Sequence, residues 1–126
     1  MIKVLLVGAG GFLGAIARYG LGGLVQDRAG ATFPLGTLVV NVVGCFVIGL
    51  VSELAETRGF LTPESRAFLV IGVLGGFTTF SAFGNETLNL LRERDLALAG
   101  ANVLLNVVLA LGAVWLGRAA PNLVGG

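Results

Sequence analysis

Histidine is absent from this 126-residue chain and cysteine occurs once. The first absence removes the commonest general base and metal ligand. A lone Cys45 can form neither an intrachain disulfide nor a chelating pair, and within an apolar run it reads as a small core residue. Charge is scarce too, at 12% of residues, where a soluble domain carries roughly 25%. That is too little to solvate the surface of a soluble domain. The net charge of +1 gives no reason to expect nucleic acid or an acidic substrate as a partner.

Apolar residues are abundant instead: 56% of the chain, with a mean hydropathy of +0.95. One membrane span takes about 20 apolar residues, so four use about 80. The rest suffices for short connections, and the chain reads as a single all-α integral membrane domain. The expected spans are residues 4–25, 36–54, 66–91 and 96–116. The first, opened by Lys3, is longer than a signal-peptide core and lacks a cleavage pattern, so a retained span is expected. Pro34 and Pro63 sit where helices open, and Thr62-Pro63-Glu64 reads as N-cap, N1 and N2. Arg92 to Asp95 forms a tight charged turn. Trp115 and Arg118 are placed as interface anchors, with a loose tail expected beyond residue 116.

Four spans put both termini on one side, with Lys3, Arg58, Arg66 and Arg118; Arg28, Arg92 and Arg94 lie on the other. Four cations against three is almost no bias under the positive-inside rule. Either one or two charges decide the orientation, or copies insert both ways and pair antiparallel. Glycine is common, at 21 residues. The pairs Gly10/Gly14 and Gly72/Gly76 allow close helix approach in lipid, and with four thin helices close packing between subunits is expected. Gly8, Gly11 and Gly14 mimic a dinucleotide-binding turn. That chemistry also needs a β-α-β unit and an acidic ribose ligand, whereas here apolar sequence continues to Gln26. A packed membrane helix accounts for the same letters.

Polar side chains in a span are costly and point to function. Thr37, Asn41 and Gly44 share a face of the second span, and Asn102 and Asn106 are one turn apart in the fourth. They read either as inter-helix glue or as a pathway. The third span is the most informative. Gly75-Gly76-Phe77-Thr78-Thr79-Phe80-Ser81 is a poor helix former, and a mid-membrane break there frees backbone groups that protein, water or an ion must satisfy. Transporters hold ions at such breaks. Phe80 and Phe83 stand one turn apart. They are either a lipid or core stripe, or a pair of electropositive ring edges that replace the water of a small anion. Glu86 is expected at a solvated helix end. Arg18 is open between an anion lure, a snorkelling cation and a structural ion pair.

Three segments, GGFLGAIARY from Gly10, GTLVVNVVGCFVIG from Gly36 and GVLGGFTTFSAF from Gly72, resemble in order the Fluc (CrcB) family of small bacterial fluoride channels. The resemblance covers nearly the whole chain and is weakest in the fourth span. It implies an antiparallel, dual-topology homodimer of four-helix subunits in the prokaryotic inner membrane, surrounded by lipid, with two fluoride pores at the interface. It implies that Phe80, Phe83 and Asn41 line the pores. A polar track of Thr37, Thr79, Ser81, Asn102 and Asn106 would accompany them. A sodium ion would be held by the backbone carbonyls of Gly75 and Thr78 from both subunits. Ala82 departs from the Ser or Thr common in the family, and Asn102 and Asn106 from the usual Tyr and Ser. The implied function is passive export of cytoplasmic fluoride, driven by the electrical gradient, to relieve toxicity. A small dual-topology drug/proton antiporter is the rival; its mechanism needs a membrane-embedded carboxylate, which the first span lacks. A structural or assembly protein would use the glycine pairs but leave the polar third span unexplained.

Overall fold

The computed structural model describes residues 1–125. Helix α1 covers Ile2–Ala29 and α2 covers Leu35–Arg58. The third span is two helices, α3 over residues 63–77 and α4 over Phe80–Arg92, separated by extended backbone at Thr78 and Thr79. Helix α5 runs over Leu96–Gly125. All four units are long and apolar enough to cross a membrane, and the break falls where the glycine- and threonine-rich run predicts it.

The helices overrun the expected spans because an apolar count stops at the first polar residues, whereas helical hydrogen bonding continues until something ends it. Gly30 ends α1 and Gly59 ends α2, each in the left-handed region at φ 59°, where glycine meets no Cβ penalty. The Gln26 side chain closes the first connection. Its Nε2 donates to the Ala31 and Phe33 carbonyls, and its Oε1 accepts from the Gly36 amide. Thr62 caps α3 in a reciprocal box with Ser65, and Pro63 follows at N1, as expected. Asp95 caps α5 through the Leu98 amide. The tail expected to be loose beyond residue 116 is helical as far as Gly125, and residue 126 lies outside the described residues. Arg118 anchors it, binding Glu56 through both terminal nitrogens, at 3.1 and 3.2 Å, and Glu53 at 3.4 Å.

Within lipid the hydrophobic effect does not drive helices together, so close packing has to. Gly10 and Gly14 of α1 lie against the backbone of residues 68–77 in α3, and Gly72 and Gly76 reciprocate against Gly10 and Gly11. The two glycine pairs therefore mesh with each other inside one chain, giving the close helix approach expected of them. Gly22 meets Gly36 between α1 and α2. Gly49 and Gly117 bring α2 and α5 together. The dinucleotide-like glycines all lie on α1, where Gly14 is tightly packed and Gly8 faces open space. Residues 67–74 of α3 form π-helical turns, a wider winding that often accompanies functional sites.

This packing separates close glycines from free ones. Gly14→Val drives a side chain into the Val73 and Phe77 backbone and is expected to cost about 1–3 kcal/mol, read as a lower unfolding midpoint in detergent. Gly8→Val meets no neighbour and should leave that midpoint unchanged.

Candidate functional site: a groove at the broken helix

At the break the chain loses regular hydrogen bonds, and a side chain from α2 supplies replacements. The Thr79 amide donates to Asn41 Oδ1 at 2.8 Å, and Asn41 Nδ2 donates to the Thr79 carbonyl at 3.0 Å. One carboxamide thus pairs with both polar groups of one residue, as a neighbouring strand would. Diverting the Thr79 amide leaves the Gly75 carbonyl without its helical donor. The Thr79 hydroxyl accepts from the Ala82 amide at 3.2 Å and restarts the helix as the α4 N-cap. Thr78 donates its hydroxyl back to the Leu74 carbonyl at 3.1 Å.

These residues open onto a groove of about 350 Å³. Of the residues singled out from sequence, Asn41, Gly75, Thr78, Thr79, Phe80, Phe83 and Asn106 line it together. The Phe80 and Phe83 ring centroids are 5.3 Å apart at a 47° tilt. Phe80 is 81% exposed in the single chain, so α4 presents this ring outward. Gly44 meets the Thr78 methyl and the Phe77 ring. The Thr37, Asn41 and Gly44 stripe accordingly faces the third span along its whole length.

Three track candidates lie outside the groove. Thr37 Oγ1 donates to Glu86 Oε2 at 2.9 Å. Ser81 is exposed, 3.4 Å from the Thr79 hydroxyl. Asn102 is only 1% exposed, with its Nδ2 donating to Thr87 Oγ1 at 2.9 Å. Asn106, at 7% exposure, donates to the Asn102 side chain at 3.0 Å and receives a long 3.4 Å bond from Asn41. Their glue role is therefore visible, and Asn106 also reaches the groove wall. Among the described residues Arg18 forms no ion pair. Its Nε donates to the Gly76 carbonyl at 3.1 Å, bracing the last turn before the break.

Two further residues depart from the sequence reading, Glu86 by its surroundings and Thr87 by not having been singled out. Glu86 is half-buried rather than a solvated helix end, and its Oε1 is shielded from solvent with no hydrogen-bond partner. Thr87 joins Asn102 to the Phe83 carbonyl. Both continue the Phe80–Phe83 face by about one further turn, a spacing that could have found them.

Four apolar helical units, one interrupted beside a largely apolar groove edged by amides and hydroxyls, define a multi-pass membrane protein. The comparisons narrow this. The family model described as CrcB-like protein, Camphor Resistance (CrcB), matches residues 5–118. The protein named Fluoride-specific ion channel FluC from Opitutus terrae is 52% identical over 122 residues, covering 95% of this chain and 92% of that protein. Its namesake from Methylobacillus flagellatus is 48% identical over 118 residues, covering 93% and 92%. Fluoride-specific ion channel FluC 1 from Methanosarcina acetivorans is 47% identical over 118 residues, covering 94% and 89%. The chain belongs to the CrcB family.

The bracing of Thr79 is directly measurable. Asn41→Ala leaves two backbone groups unpaired at a cost of about 1–3 kcal/mol each. The Thr79 amide should then exchange hydrogen roughly tenfold faster or more, with Leu90 as the internal reference.

Proposed function

We propose that this chain is a fluoride-selective channel that lets cytoplasmic fluoride leave the cell passively, and that it is a transporter rather than an enzyme. The observation that carries the reading is the groove at the break, where ring edges, amides and hydroxyls meet without a fixed cation among its lining residues, in a chain whose relatives are named fluoride-specific channels. A small anion leaves water only if donors replace its shell. Phenyl edges carry partial positive charge, and the neutral donors beside them add hydrogen bonds without binding so tightly that the ion cannot leave. The pathway in this reading runs by Asn41, Phe80 and Phe83. Thr37, Thr79, Ser81, Asn102 and Asn106 contribute or support its polar side.

The open groove and the outward Phe80 support a second copy as its lid. The unit we propose is an antiparallel homodimer of oppositely inserted chains, with two pores at the interface, in the cell's inner membrane. The near-balanced loop cations favour this pairing. A sodium ion between the subunits fits the donor set. Among the described residues no cluster of His, Cys, Asp and Glu could hold a metal, but carbonyl oxygens suit a hard cation, and the Gly75 carbonyl has lost its helical donor. Gly75 and Thr78 of both copies would hold the ion, which would supply positive charge where the two breaks meet.

Potassium fluoride-loaded liposomes containing the protein should empty on adding valinomycin, while chloride-loaded ones stay full. Equal chloride release would remove the selectivity. If neither anion leaves and a proton gradient instead drives uptake of an organic cation, the antiporter is correct. Phe80→Ile and Phe83→Ile should each slow fluoride by about an order of magnitude, the effect of roughly 1.4 kcal/mol on a barrier.

A further inference from the structure

A second groove lies far from the break, where the first turns of α1 and α3 meet on the side of the N-terminus. Its volume is about 610 Å³, and its mouth carries Lys3, Arg66 and the capping Thr62. Its wall is apolar. Val4 and Val7 descend one face of α1, while Ala67 and Ile71 descend the facing turns of α3. Cations at the rim and aliphatic side chains below reproduce the order of a phospholipid entering from its own leaflet.

The charges on this side sharpen the match. Of the three glutamates on this side, Glu53 and Glu56 are taken by Arg118, and Glu64 is exposed, makes no ion pair among the described residues and does not line the groove. Lys3 and Arg66 form no ion pair among the described residues, and no acidic residue lines the groove. Two unneutralised cations beside an apolar slot at a membrane edge attract a negative headgroup, and the slot gives the acyl chain a place that bulk counter-ions cannot use. We propose that this groove binds an anionic phospholipid, its phosphate between Lys3 and Arg66 and its chain along Val7 and Ile71. The site is independent of what passes through the protein.

Native mass spectrometry of protein extracted from mixed phosphatidylglycerol and phosphatidylcholine vesicles tests this. The wild type should retain phosphatidylglycerol in preference to phosphatidylcholine. Lys3→Gln with Arg66→Gln should lower that retention roughly tenfold or more, since each basic side chain near the surface contributes separately. Arg58→Gln, a cation on the same side but outside the groove, should leave it unchanged. Ile71→Trp, which fills the slot and keeps both cations, should also lower it. Equal retention in the double variant, or undiminished retention in Ile71→Trp, would overturn the site. So would displacement of the lipid by millimolar inorganic phosphate, which would make the groove a free-phosphate site. Gel filtration of each variant as a single folded species secures the comparison.

Discussion

The Asn41 carboxamide replaces two backbone hydrogen bonds that the third span gives up at Thr79, and much of the groove's geometry depends on that replacement. A peptide left unpaired in hydrocarbon costs several kcal/mol, so the break can persist only with a fixed partner. Asn41 is such a partner because its carboxamide sets an N–H beside a C=O at the spacing of a peptide, with its second N–H left to reach Asn106. It sits one turn from Thr37 and about one turn from Gly44, and Gly44 leaves room for the Thr78 methyl. The position of α2 therefore determines where α4 restarts, and so where Phe80 and Phe83 point.

The glycine contacts provide the rigidity this arrangement needs. Backbone meets backbone where α1 crosses α3, and again where α5 crosses α2. Helix α4 buries Leu90 and is tied in by polar bonds as well, through Thr37–Glu86, Asn102–Thr87 and, at its N-cap, Asn41–Thr79. The segment that carries the phenylalanines is thus attached differently from the rest of the fold. Its register is fixed by directional bonds, which tolerate less displacement than apolar contacts.

The architecture was largely legible because lipid imposes a simple rule: about 20 apolar residues per crossing. The break was legible as well, since two glycines and two threonines in succession favour no helix. Helix ends were read short, because Gln26 and Arg58 are polar yet still helical, and the true stops are Gly30 and Gly59. Pairing of the glycines could not be read, as small residues advertise a close approach without naming its partner. Glu86 was misjudged for a related reason. Its distance from the nearest span end suggested water, but only the fold brings Thr37 beside it. Arg18 likewise found a carbonyl that exists as a free acceptor only near the broken helix.

The side-chain bonds around the groove also have a direction. Thr79 donates to Asn41, Asn41 to Asn106, Asn106 to Asn102, Asn102 to Thr87, and Thr87 to the Phe83 carbonyl. The series begins at the N-cap of α4 and ends within that helix, four residues further on. Its first donor is a backbone N–H, which can only donate, and its last acceptor is a carbonyl, which can only accept. No amide between them can turn over alone without placing two donors or two acceptors face to face. The polarity is therefore set at both ends by the main chain, and because no member of the series is ionisable, changes in acidity leave it intact. The chain thus carries a nearly closed, one-way circuit of hydrogen bonds beside the groove, whose sense is fixed by its covalent ends.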